Sequence, residues 1–131
     1  CLSRGLGDVY KRQHPNMPED LIPYWDFDAP GIPDEPRDVS AATVIASALY
    51  ELSLYDPEKG ERYRSNADKI IENLTKHYRA TLKKDNGFLL LHSTGTKPTN
   101  TEVDVPIVYA DYYFIEALMR KNKLEKTGKL F

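Results

Sequence analysis

Residues 39–55 read VSAATVIASALYELSLY. Ala41, Ala42, Val44, Ile45, Ala46, Ala48, Leu49 and Leu52 make the run apolar or small on nearly every helical face. A helix of that kind has to be covered all round, a demand hard to meet within so short a chain. Asp38 stands immediately before it, where a carboxylate accepts from the free amides of the first turn and meets the positive end of the helix dipole. Asp56-Pro57 is expected to close it, because the residue before a proline resists the helical region.

Downstream, a second helix is expected over 57–82, with Pro57 tolerated in its first turn. Tyr63, Ala67, Ile70, Ile71, Leu74, Tyr78 and Leu82 recur every three or four residues, and Lys, Glu and Arg fill the other side. That is an amphipathic helix with one wet face; His77, beside the stripe, reads as a packed or half-exposed helix residue. Asp85-Asn86-Gly87 signals a turn, and residues 88–91 read as a short strand-like piece. A polar loop, HSTGTKPTNTEVDV over 92–105, ends at Asp104, the expected N-cap of a third helix with Pro106 just inside it. Residues 107–120, IVYADYYFIEALMR, are again apolar or aromatic almost all round. Asp111 on that buried surface needs a partner and reads as structural. The basic tail over 121–131 is expected to fray.

Upstream, residues 14–36 form a long loop. Pro23, Pro30, Pro33 and Pro36 hold it extended, and Leu21, Ile22, Tyr24, Trp25 and Phe27 argue against disorder. The order is therefore loop, buried helix, surface helix, loop, buried helix. Alternation of inner and outer helices is the pattern of an α/α toroid. A bundle wants amphipathic stripes throughout, and a solenoid wants self-similar units. The fold class read here is all-α, an incomplete part of such a toroid.

The 131 residues suffice for one domain or part of a larger one. A formal charge of -2 leaves no basic footprint for nucleic acid, and no apolar run is long enough to span a bilayer. Nine tyrosines suit a sugar-binding or interface surface, and suit helix packing equally well. Residues 1–13, CLSRGLGDVYKRQ, lack periodicity, and DVYKRQ can be encoded by GATGTGTATAAGAGACAG, which resembles the mosaic end of a transposase-based sequencing adapter. Setting this segment aside as a non-native scar removes the single cysteine, and with it any thiol or disulfide chemistry. It also removes three of the 18 basic and one of the 20 acidic residues, leaving 15 and 19 and a net charge of -4. Native protein is then expected before His14. A secretion signal would lie there, so the compartment, bacterial cytoplasm or periplasm, stays open.

The loop over 24–38 carries an exposed-looking Trp25 with Asp26 and Asp28, and delivers them onto a helix N-terminus through Arg37 and Asp38. Such a stretch either builds one wall of a polar site or staples the loop to the core through Trp25 and Phe27.

Three segments taken together, PYWDFDAPGIPDEPRDVSAA (23–42), GFLLLHSTG (87–95) and EVDVPIVYADYYFIEALMR (102–120), resemble the C-terminal part of the unsaturated glucuronyl hydrolases, glycoside hydrolase family 88. The resemblance covers nearly everything from His14 onward. WDFD followed by PRD, and HSTG followed by DVP and DYYF, make a compound signature, each part of which is weak alone. Thr96 stands where the family more often has His.

The resemblance implies an (α/α)6 toroid that releases unsaturated uronic acid from the non-reducing end of oligosaccharides left by polysaccharide lyases. An Asp protonates the vinyl-ether double bond, water adds to the ring, and the hemiketal opens, with no metal or organic cofactor. The family's catalytic aspartates, and an Arg-Gly-Gln-Ala-Trp segment that helps hold substrate, belong to its N-terminal part and have no counterpart here. No catalytic residue is therefore assigned, and a fragment of this kind is expected to be inactive alone, its partner being the missing N-terminal part of the same protein.

The candidate substrate-binding residues are Trp25 (stacking), Asp26 (bracing), Arg37 or Lys97 (facing a uronate carboxylate), and His92 and Ser93 (bonding hydroxyls). For each, loop bracing competes: Arg37 bridging to Asp34 or Glu35, His92 bonding a backbone carbonyl. Glu102 and Tyr109 are weaker candidates. Two other readings stand beside this one, an unsaturated rhamnogalacturonyl hydrolase and a helical protein-interaction module. The enzyme reading requires the two apolar helices to expose large patches in this chain alone.

Overall fold

The computed structural model describes residues 14–81, 83, 84 and 86–131. The readings of residues 1–13 as a scar, of Leu82 as part of the second helix and of Asp85 as the start of a turn lie outside the described residues. Among the described residues three α-helices carry the fold, α1 Val39–Leu52, α2 Gly60–His77 and α3 Val108–Thr127, with a single 3-10 turn at Lys97–Thr99. Among the described residues β pairing is confined to isolated bridges.

Asp38 caps α1 as its position suggests. Its side chain accepts from the Ser40 amide at 3.1 Å and the Ser40 hydroxyl at 2.6 Å, in an extended conformation with φ -117°. The helix packs on both α2 and α3, which scarcely touch one another. Ala42, Ile45, Ala46, Leu49 and Tyr50 join Ala67, Ile70, Ile71 and Leu74 of α2 and Phe114, Ala117 and Leu124 of α3 in one core. Small residues at 42, 46 and 117 allow the helices to approach closely. The demand for all-round cover is met in large part within the chain: Val39, Ala42, Ala46, Leu49 and Tyr50 are fully buried, and Val44 is half-buried.

Both ends of the first connection differ from expectation. α1 stops at Leu52, not at residue 55, and residues 53–55 form turns that hand the chain to Asp56. The Asp56 carboxylate accepts from the amides of Glu58 and Lys59 at 3.1 and 3.0 Å, so Pro57 sits in a local turn and α2 begins only at Gly60. A Cβ at Gly60 would fall 2.4 Å from the Ser53 carbonyl oxygen, so the start of α2 touches the end of α1 where only glycine fits. At its other end α2 gives out at His77, because the next residues pair as extended chain. Arg79 bridges Leu90, and the amides of Ala80 and Leu91 donate to the carbonyls of Leu89 and Tyr78.

α3 overturns two expectations. Its first residue is Val108, with Ile107 as an extended cap that makes no side-chain bond, so neither Asp104 as N-cap nor Pro106 inside the helix holds. It also continues through residues 121–127, which were expected to fray. Lys121 pairs with Asp68 on α2, Leu124 and Leu130 are buried, and Gly128 ends the helix in the left-handed region at φ 68°. Asp111 finds the partners it needs: its carboxylate accepts from the amides of Leu89 and Leu90 at 2.8 and 3.1 Å.

The all-round apolar character of α3 resolves into two faces. Ala110, Phe114, Ala117 and Leu124 face the core, Phe114 being 2% exposed. Val108, Tyr112, Ile115 and Met119, spaced four, three and four apart, are 72%, 63%, 46% and 67% exposed. The open flank demanded by the enzyme reading therefore lies on α3 rather than on α1.

Candidate functional site

The two long loops meet over the N-terminus of α1. Tyr24 bridges Arg37, with Trp25 N–H donating to the Pro36 carbonyl and Asp38 N–H to the Pro23 carbonyl, so the proline-rich loop closes on itself. The second loop is then stitched to the first. Val39 N–H donates to the His92 carbonyl at 3.2 Å, Thr94 N–H to the Asp38 carboxylate at 3.3 Å, and the Thr94 hydroxyl to the Arg37 carbonyl at 3.0 Å. Asp38 thus caps the helix and ties both loops to it, which accounts for its carboxylate without a catalytic role.

Between the loops and the end of α2 lies an open groove of about 520 Å³ lined by Asp34, Glu35, Pro36, Arg37, His77, Tyr78, His92 and Asp104. A smaller concavity of about 230 Å³ adjoins the WDFD stretch, with Trp25, Asp26, Asp38 and Ile45 among its lining residues. Arg37 and His92 therefore share the groove, while Trp25 and Asp26 share the smaller hollow.

Arg37 reaches neither Asp34 nor Glu35. Its guanidinium donates to the Asp20 carboxylate at 3.1 Å and to the Ile22 carbonyl, and lies over the Tyr24 ring 4.5 Å from its centroid. Asp20 also accepts from the Tyr78 hydroxyl at 3.2 Å. Burial, and then the Asp20 charge, push the Tyr78 phenol up to about 12, so it remains a hydrogen-bond donor throughout the physiological range.

His92 bonds a carboxylate instead of a backbone carbonyl: its Nδ1 lies 2.7 Å from Asp104 Oδ1. Both residues sit in the left-handed region, at φ 67° and 54°. That conformation is uncommon outside glycine but is enriched for His, Asn and Asp. Two such residues facing each other across a loop are held there by the main-chain exchange of Ser93 and Val105, at 2.9 Å in each direction. Ser93 itself is fully buried, is not part of the groove lining, and its hydroxyl has no hydrogen-bond partner among the described residues.

Asp26 is exposed and braces its own turn, accepting from the Asp28 amide at 3.0 Å. Trp25 donates through Nε1 to Glu35 Oε2 at 2.7 Å, and Lys97 approaches the same oxygen at 3.8 Å. Glu102 lies outside the groove in a left-handed turn, and Tyr109 is on the outer side of α3. His77 lines the groove, which its position beside an apolar stripe did not suggest. Glu35, Asp20, Tyr78 and Asp104 were not among the candidates; their partners lie 10, 17, 58 and 12 residues away, beyond the reach of any local pattern. Among the described residues no group of three or more His, Cys, Asp or Glu side chains is placed to hold a metal ion.

Buried and water-facing helices in alternation, with polar loops gathered over a helix N-terminus, make up one segment of an α/α toroid. Over most of its length the chain is similar to a part of the unsaturated glucuronyl hydrolases. It is 50% identical over 115 residues to an unsaturated glucuronyl hydrolase of Formosa agariphila, a match covering 86% of this chain and 28% of that one. It is 31% identical over 111 residues to an unsaturated chondroitin disaccharide hydrolase of Streptococcus agalactiae, covering 82% and 28%. Among solved structures, an unsaturated glucuronyl hydrolase specific for heparin superposes with a TM-score of 0.86 at 43% identity, over 90% of this chain and 32% of that one. The chain thus spans less than a third of the length of these relatives. No family model matches it.

Proposed function

We propose that this chain is the C-terminal part, over 14–131, of a glycoside hydrolase that releases unsaturated uronic acid from the non-reducing end of lyase-generated oligosaccharides. The observation that carries the reading is the 50% identity to the Formosa agariphila hydrolase over 115 residues, 86% of this chain. In this reading the chain supplies pocket wall. Trp25 offers a ring for stacking with Asp26 bracing its turn, His92 faces hydroxyls, and Lys97 and Arg37 provide positive charge, with Ser93 supporting the turn beneath.

The chemistry of the wall supports that division of labour. The groove's Arg37 is already answered by Asp20, and Asp34, Glu35 and Asp104 also line it. Such a balanced surface favours a hydroxyl-rich ligand over a simple anion. The acid that protonates the vinyl-ether carbon, and the groups that place the water, belong to the remainder of the protein. The exposed stripe on α3 fits a seat against further helices of the same toroid.

The test joins this chain to the upstream part of the Formosa agariphila relative and follows loss of the ultraviolet absorbance of the conjugated double bond on dGlcA-GalNAc6S. Turnover by the joined protein, with none by the 131 residues alone, is the expected result. A folded joined protein that binds no unsaturated sugar overturns the reading.

A further inference from the structure

We propose that Glu35 is a positioning residue that fixes the Trp25 indole and the Lys97 ammonium, side chains of two different loops, in one arrangement beside the groove. Its importance for a sugar rests on the reading above; the arrangement itself does not.

The Glu35 side chain is only 13% exposed, and each of its oxygens is engaged. Oε2 accepts from Trp25 Nε1 at 2.7 Å and lies 3.8 Å from Lys97 Nζ; Oε1 accepts from the Gly31 amide at 3.2 Å. The indole N–H, the backbone N–H and the ammonium are all donors with nothing to accept. A group with two acceptor oxygens and a negative charge answers all three, and among side chains only a carboxylate is so built.

The fit is tight on the backbone side as well. A Cβ on Gly31 would stand 2.7 Å from Oε1, so the carboxylate occupies the space a side chain at 31 would need. Trp25 has two torsions, and a bond at the far end of the ring removes most of their freedom. Lys97 has four, and the pairing with Glu35 draws the 3-10 turn at Lys97–Thr99 toward the proline-rich loop. The carboxylate therefore links the stacking ring to the cation across the junction between the loops.

Trp25 is the single tryptophan of the chain, so its fluorescence reports this site alone. The experiment compares the 131-residue chain with Glu35→Ala, Glu35→Gln and Gly31→Ala. It reads acrylamide quenching of Trp25 and the rate of acylation of Lys97 by mass spectrometry, with far-UV dichroism as a control for folding. Glu35→Ala and Gly31→Ala are expected to raise both the quenching constant and the Lys97 rate about twofold, since the indole's hydrogen bond and the ammonium's ion pair are lost or displaced. Glu35→Gln keeps one acceptor for the indole without the charge, and a neutral bond is about half as strong. It should therefore give an intermediate quenching constant with the full rise at Lys97. Gly31→Ala leaves Glu35, Trp25 and Lys97 all present, so it serves if Glu35→Ala fails to fold. Wild-type values for either readout in folded Glu35→Ala or Gly31→Ala overturn the proposal. Titration with dGlcA-GalNAc6S separates the two ideas. If Trp25 and Lys97 loosen as expected but the joined protein described above does not respond to the sugar, the sugar-binding reading falls and the role of Glu35 stands.

Discussion

Replacing Asp38 by Ala tests whether this carboxylate is there for architecture. Three bonds depend on it: the Ser40 amide at 3.1 Å, the Ser40 hydroxyl at 2.6 Å and the Thr94 amide at 3.3 Å. Loss of an N-cap costs about 1 kcal/mol. Ser40 and Thr94 are each 5% exposed, so their donors would be left with little access to water, and stranding them adds on the order of 1–2 kcal/mol. The sum is about 2–3 kcal/mol, or a fall in Tm of roughly 8–12 °C for a domain of this size. Asp38→Asn keeps an oxygen for the cap and should cost about half as much. The assay is urea unfolding of the 131-residue chain followed by far-UV dichroism at low protein concentration. Asp38→Ala and Ser40→Ala together should cost about 1 kcal/mol less than the two apart, because they share a bond. A loss under about 0.5 kcal/mol for Asp38→Ala would refute the assignment. So would an unchanged Tm accompanied by lost turnover in the joined enzyme, which would make Asp38 part of the chemistry.

The outer stripe of α3 should make the isolated chain self-associate, and Tyr112→Lys with Ile115→Lys, at positions 63% and 46% exposed, should return it to a monomer in sedimentation velocity without lowering Tm by more than about 2 °C. Persistence of the oligomer in that double variant would place the contact elsewhere. For Tyr78 the folded value of about 12 lies above the ordinary value of 10, so its contribution to stability is fully present below pH 10 and is lost as pH rises through 12. Two units correspond to at most about 2.7 kcal/mol, reduced to roughly 1 kcal/mol because the half-buried ring is partly screened by water. Tyr78→Phe should remove that slope from the difference between alkaline unfolding curves; parallel curves would show that burial and the Asp20 charge do not raise the phenol.

The helices were legible in sequence because burial leaves a local trace. The small-apolar run of α1, the three-four spacing of α2 and the Asp38 cap all depend on neighbours within one or two turns, where periodicity and capping act. The boundaries that failed were decided by contacts from afar. α3 runs on through 127 because Lys121 meets Asp68 and Leu124 enters the core, and Asp104 is not a cap because His92 takes its carboxylate.

By itself the sequence determined the all-helical class, the inner and outer order of the helices, the two loops that matter and the family they resemble. Only the tertiary structure decided that Arg37 belongs to Asp20, that His92 belongs to Asp104, that Glu35 joins Trp25 to Lys97, and which face of α3 is left open. The physical reason is range. Hydrophobic patterning and helix caps act along the chain and are written in adjacent letters. A charge or a donor finds its partner through space, and in this protein those partners come from loops whose meeting no residue spacing encodes.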